Sequence, residues 1–217
     1  QCPVCAVDSL VFAALSYANL EVLVPDGFPS LPLQEAAEAL MARPDHDKMV
    51  RSENDGKFLL TAARSPRFRS VQVCCCRAKT LEDLETQFGA MAFLLPNGSA
   101  FLAFRGTDLT LVGWKEDFNM SFQDIVPAQT EAAEYLKEFA AVFDGPMYLT
   151  GHSKGGNLSV YAAATASLDV QERIRAVYNY DGPGFGQSMM GSEGYLRMIP
   201  RIQTYVPESS IIGMLLE

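Results

Sequence analysis

The chain has 217 residues, 48% hydrophobic and 20% charged, which is enough apolar side chain to fill the core of one ordinary domain and excludes global disorder. Its apolar runs fall well short of the roughly 18 residues that cross a bilayer, which excludes a spanning helix and stable membrane insertion through one. Lys and Arg number 17 against 26 Asp and Glu, a net charge of −9, and such a balance argues against nucleic acid as a partner.

In chain order, Asp8-Ser9 can cap a helix over residues 8–20, with Leu10, Val11, Ala14, Leu15 and Ala18 on one apolar face. Its polar face is not basic, so it reads as core-facing rather than as a membrane-surface helix. Residues 25–32 are turn-rich, 33–41 read as a short helix and 43–56 as a polar loop. From 56 to 80 there are six basic residues and no acidic one: Lys57, Arg64, Arg67, Arg69, Arg77 and Lys79. The run reads as a solvated edge strand, its charges guarding the sheet edge, in preference to an anion site. Residues 68–76 alternate as that strand would, and Thr80-Leu81-Glu82-Asp83 resembles a capping box opening a helix.

The five cysteines do not form a disulfide pattern. Cys74, Cys75 and Cys76 are consecutive, and neighbouring side chains on a strand point to opposite faces. Cys2 and Cys5 form a lone Cys-x-x-Cys with no second pair to complete a zinc site, so no metal and no cofactor is expected. Reduced thiols and the lack of a basic, cleavable leader place the expected location in the cytoplasm.

Residues 91–95 and 99–104 flank Pro96-Asn97-Gly98, a hairpin signal. Residues 127–143 read as an amphipathic helix with Pro in its first turn. Beyond it, strands at 147–150, 176–180 and 202–206 alternate with a helix at 154–166 and a short helix after the Gly-rich loop. That alternation implies an α/β fold, a mostly parallel sheet with helices on both faces.

Gly151-His152-Ser153-Lys154-Gly155 is a G-x-S-x-G sequence with an apolar strand running in and a helix running out. This is the setting of a nucleophile elbow, where flanking glycines clear space for a serine on a strained turn. The N–H of the next residue then faces a developing oxyanion. The alternative is a Gly-rich helix start capped by Ser153. Phe104-Arg105-Gly106-Thr107 ends a strand and enters a loop, where a second oxyanion donor is needed.

Taken together, Ala103-Phe104-Arg105-Gly106-Thr107, then Trp114 with Asp117, then residues 149–157 resemble the class-3 (fungal-type) lipases. A group of uncharacterised bacterial α/β-hydrolase-like proteins is closer still. It shares the opening helix, Tyr180-Asp181-Gly182-Pro183-Gly184-Phe185, and Tyr205-Val206-Pro207 leading into residues 210–215. The resemblance covers nearly the whole chain and implies a single α/β-hydrolase-like domain over 1–217, with a helical segment to about 56 and a sheet core from about 67.

The resemblance implies a carboxylic-ester hydrolase working through an acyl-enzyme on Ser153, with Thr107 and Lys154 N–H as oxyanion donors and a small-molecule or lipid ester as substrate. Trp114 and Asp117 match positions that look structural in those lipases. Lys154 replaces a common Leu and would set a cation near the pocket mouth. The acid of the triad should end a strand after the nucleophile. Asp181 does so and is favoured, with Glu208 at the next strand end as the alternative; Ser210 stands where class-3 lipases carry their Asp. Asp181 could equally fix a Gly-Pro turn. No histidine follows Ser153, so the general base is expected beyond Glu217. The alternative function is an inactive hydrolase-like module that binds a lipid or protein partner.

Overall fold

The computed structural model describes residues 3–81, 86–107, 126–208 and 210. The strands are β1 Leu31–Pro32, β2 Gln72–Leu81, β3 Thr86–Leu94, β4 Ala100–Phe104, β5 Met147–His152, β6 Ile174–Tyr180 and β7 Ile202–Tyr205. They lie side by side in chain order in one sheet. The first three junctions are antiparallel and the last three parallel. The change follows the connections. A tight turn joins β3 to β4, with Gly98 at φ 80° and the Asn97 side chain accepting the Ser99 N–H at 3.1 Å. Parallel neighbours need a crossover, and helices supply it on the C-terminal side.

The helices are α1 Ala6–Leu15, α2 Leu33–Met41, α3 Glu53–Arg64, α4 Pro127–Val142, α5 Lys154–Thr165, α6 Leu168–Arg173, α7 Gln187–Met190 and α8 Glu193–Met198. On one face of the sheet, α1, α2 and α3 pack over Val73, Met91, Phe93, Phe101 and Ala103. On the other, α4 and α5 pack over Ala90, Ala92, Leu102, Phe104, Leu149 and Val177. Both faces are therefore covered, and all five residues of β4 are buried, as a central strand requires. Among the described residues no helix is long and apolar enough to cross a membrane.

Four expectations need correction. First, α1 starts after Cys5 and ends at Leu15, with the Asp8 carboxylate accepting the Cys5 N–H at 3.0 Å. Its buried stripe is Asp8, Ser9, Phe12, Ala13 and Leu15, while Leu10 is exposed. The two polar residues can be buried because each has partners: Asp8 pairs with Arg67, and Ser9 bonds Tyr180 and the Ala6 carbonyl.

Second, the polar segment at 43–56 is interrupted by α3, which Ser52 caps by accepting the Asp55 N–H. Gly56 weakens the helical signal there, yet it faces α2 so closely that a Cβ would press on Met41.

Third, β2 starts at Gln72 and runs to Leu81, and Leu81 pairs with Thr86 of β3. The helix expected from Thr80 is therefore replaced by a strand pair. Fourth, the basic residues are mostly exposed but do not form one edge strand: Lys57 and Arg64 lie on α3 and only Arg77 and Lys79 on β2. Lys57, Arg64, Arg67, Arg77 and Lys79 pair with Glu53, Glu38, Asp8, Asp26 with Glu138, and Glu131 respectively. Carboxylates from elsewhere in this acidic chain neutralise them. The two-residue β1 also covers the start of β2.

Candidate functional site

The C-terminal tips of β4, β5 and β6 meet at one end of the sheet, with Phe104 opposite Gly151 and His152 opposite Tyr180. In open α/β sheets, ligands bind outside these carboxyl ends. At the tip of β5 the chain turns sharply into α5. Ser153 sits on that turn at φ 57°, ψ −131°, a left-handed conformation costing roughly 1–3 kcal/mol for a residue with a Cβ. Its N–H donates to the Tyr180 carbonyl and its own carbonyl accepts the Gly156 N–H, both at 2.8 Å. Its side chain makes no capping bond, so Ser153 is not there as a helix cap.

The glycines around it are needed for space. A Cβ on Gly151 would run into the Gly155 carbonyl, one on Gly155 into the Phe104 carbonyl, and one on Gly156 into the Asn179 side chain. The first two turns of α5 thus lie directly against the tips of β4 and β6. The G-x-S-x-G spacing has a packing cause: each glycine marks a place where two backbone segments touch.

Asp181, at the tip of β6, is a second strained residue, with φ 57°. Its N–H donates to the Tyr205 carbonyl at 2.9 Å, and its carboxylate accepts the Ser210 hydroxyl. The loop that follows is held by buried amides. Asn157 donates to the Pro183 and Gly184 carbonyls at 3.0 and 3.1 Å, and Gln129 donates to Asn157 at 2.8 Å. Asn179 accepts the Gly182 N–H at 3.0 Å. A Cβ on Gly182 would stand 2.9 Å from the Ser153 carbonyl, so Ser153 and Asp181 lie on touching turns. Glu208 lies on the exposed turn beyond β7.

Thr107 follows the tip of β4, where a Cβ on Gly106 would meet the His152 carbonyl and the Tyr17 hydroxyl. Lys154 opens α5, so its N–H is one of the donors pointing out of the helix start. Its side chain is 2% exposed, so it does not set a cation at a solvent-facing pocket mouth. Arg105 reaches away from the site. It donates to the Ser16 and Ala18 carbonyls at 2.6 and 3.2 Å and pairs with Glu21 at 2.9 Å. Trp114 and Asp117 lie outside the described residues.

Sequence reasoning missed Tyr17 and Arg51. The Tyr17 hydroxyl meets His152 Nδ1, and the Arg51 guanidinium lies 3.4 Å above the Tyr17 ring. Burial first, and Arg51 second, hold the His152 imidazole below its ordinary value, while Asp181 opposes them. An aromatic residue just past a helix end carried no signal of this role. His46 lies elsewhere, in a 3-10 turn bonded to the Arg43 carbonyl. Among the described residues no group of three or more His, Cys, Asp or Glu is placed to hold a metal.

The family model described as Mbeg1-like matches residues 62–217. A search of curated proteins finds no match. Among solved structures, the chain is similar to the M37 lipase at TM-score 0.58 and 15% identity, covering 94% of this chain and 67% of that one. It is also similar to a mutant form of MDLA from Penicillium cyclopium at TM-score 0.51 and 15% identity, covering 94% of this chain and 72% of that one. The mixed seven-stranded sheet flanked by helices is an α/β-hydrolase-like fold of the kind the M37 lipase has.

Proposed function

For a chain that belongs to the Mbeg1-like family, we propose a serine hydrolase that acts on carboxylic esters through an acyl-enzyme on Ser153. The observation that carries this reading is the Ser153 turn: a left-handed serine without a capping role, between glycines that allow no Cβ. Neither helix start nor loop closure needs strain there, whereas a nucleophile presented to a substrate does. In the proposed reaction Ser153 Oγ attacks the ester carbonyl, and the Thr107 and Lys154 N–H groups stabilise the oxyanion. The alcohol leaves, and water releases the acid. Asp181 is the proposed acid, being on the adjacent strand tip, with Glu208, on the exposed turn beyond β7, as the alternative. The Ser153 hydroxyl needs a general base to attack at neutral pH, and a histidine carried by a longer form of the chain would supply it. The substrate is a small-molecule or lipid ester; one of the similar structures is named as a lipase. The consecutive thiols fit a cytoplasmic setting.

The test is intact-mass labelling with a fluorophosphonate, applied to this chain and to the product of its full reading frame, each beside a Ser153→Ala variant. A Ser153-dependent adduct on the longer product alone supports the reading, base included. An adduct on this chain supports the nucleophile and removes the need for a downstream histidine. Folded protein that stays unlabelled in both forms overturns the reading in favour of a non-catalytic binding module.

A further inference from the structure

Strand β2 departs from strand geometry in the middle of its three cysteines. The pairing with β3 slips between Cys74 and Arg77, and Cys75 takes φ 50°. Such a bulge cancels the alternation of side chains. Cys74 and Cys75 consequently face the same side of the sheet, in the cluster under α4, while Cys76 points to the opposite side, under the N-terminal helices. On that shared side the two thiols are neighbours in one buried cluster. The distortion is anchored on both sides. The Cys75 N–H donates to the Gly27 carbonyl at 2.8 Å, and the Cys75 carbonyl accepts the Tyr135 hydroxyl at 2.8 Å.

Cys75, though only 5% exposed, lines a surface cavity of about 260 Å³ together with Gly27, Arg77, Tyr135 and Phe139. The three thiols thus differ sharply. The adjoining Cys74 thiol, with the Gly27 backbone, outweighs burial and holds the Cys75 thiol below its ordinary value. The adjoining Cys75 thiol and then burial push Cys74 up, and burial pushes Cys76 up. Thiolate character together with access is what makes a cysteine react.

We propose that Cys74 and Cys75 form a peroxide-oxidisable dithiol, a reactive site separate from the Ser153 turn. Cys75 sulfur attacks one oxygen of a hydroperoxide, the O–O bond breaks, and Cys75 becomes a sulfenic acid while the other oxygen leaves as water or alcohol. Cys74 sulfur then displaces hydroxide from the Cys75 sulfur, and the Cys74 proton leaves with it as water. Two thiols lose two electrons in total, one hydroperoxide gains them, and a disulfide between adjacent residues results. Adjacent Cα atoms are about 3.8 Å apart, closer than in an ordinary disulfide, so this bond is readily reduced again.

The test uses the folded chain carrying Cys2→Ser and Cys5→Ser, treated with hydrogen peroxide, alkylated and digested with trypsin. Cleavage after Arg69 and Arg77 isolates one peptide holding all three cysteines. The expected product has lost two hydrogens between Cys74 and Cys75, retains an alkylated Cys76, and reverts under a thiol reductant. In Cys74→Ser the reaction stops at the sulfenic acid, trapped on Cys75 by a cyclic 1,3-dione. In the parent form, without any change at these three positions, iodoacetamide modifies Cys75 roughly tenfold or more faster than Cys76. Retention of all three thiols after peroxide, an oxidised pair that includes Cys76, or alkylation of Cys76 ahead of Cys75 each overturns the proposal.

Discussion

The Tyr17 hydroxyl lies 2.9 Å from Nδ1 of His152, a hydrogen bond between the turn after α1 and the residue immediately before the strained serine. Arg51 stacks on the other side of the same phenol and pairs with Asp55 at 3.2 Å. The phenol thus stands between the imidazole and a fixed guanidinium, and the surroundings of the imidazole disfavour charge. The chain has two histidines, so ring titration by NMR resolves this one. Arg51→Gln is expected to raise the His152 midpoint by removing a nearby positive charge. Asp181→Asn is expected to lower it by removing the opposing negative charge. A midpoint unmoved by both changes would show that neither charge faces the ring.

The choice of acid can be separated by kinetics once an ester substrate is turned over. Asp181→Asn is expected to reduce kcat on the order of 10³–10⁴-fold, the usual loss when a triad acid no longer orients its base. Glu208→Gln, on the exposed turn, is expected to leave kcat unchanged within about twofold. The reverse pattern would move the acid to the tip of β7.

Gly155 is expected to tolerate no side chain. An alanine there drives a Cβ into the Phe104 carbonyl, a backbone clash that no rotamer relieves, so Gly155→Ala should cost roughly 1–3 kcal/mol in denaturant unfolding. Gly186 is the internal control. A Cβ there meets nothing within 4 Å at an ordinary φ of −65°, and Gly186→Ala should change stability by less than about 0.5 kcal/mol.

Asp8 makes stability depend on pH. Burial pushes its carboxyl up, but the hydrogen bond from Arg67 and those from Cys5 outweigh that, and the carboxyl lies below its ordinary value. A depressed carboxyl contributes stability that is present above the ordinary value of about 4 and is lost as pH falls through the folded one. Asp8→Asn should therefore cost about 1.5–3 kcal/mol at neutral pH, and its unfolding curve should converge on that of the parent as the pH drops below about 4. A constant gap across that range would mean that the loss is one of shape alone.

The C-terminal half was legible because its signals were redundant. Pro127, the Asp144-Gly145-Pro146 break, the apolar run into Gly151 and the small residues of α5 each mark a boundary, and the elements fall within a few residues of the expected places. The N-terminal half misled where tertiary partners overrode pattern. Asp8 and Ser9 look like a cap and are instead buried in a helix, because Arg67 and Tyr180 come from distant segments to meet them. The three cysteines looked like plain alternation, and only the register of β2 against β3 exposes the bulge. At the site, Ser153 and the glycines stood out from spacing. Tyr17, Arg51, Gln129 and Asn179 did not, since each gains its role from a contact more than twenty residues away in the chain.

The strands stand in the sheet in the order in which the ribosome makes them. Each can therefore dock on an edge already formed, and no later strand has to wedge between two earlier ones. The exception is the first helix. The carbonyl of Ser9 in α1 accepts the Thr150 hydroxyl, and its side chain bonds Tyr180, so its polar anchors do not exist until β5 and β6 have been synthesised. During translation Phe12 can already pack on Phe68, Phe93 and Phe101, while Ser9 waits about 170 residues for Tyr180, and the final closure of α1 on the sheet becomes a late step in assembling the end of the molecule that holds Ser153.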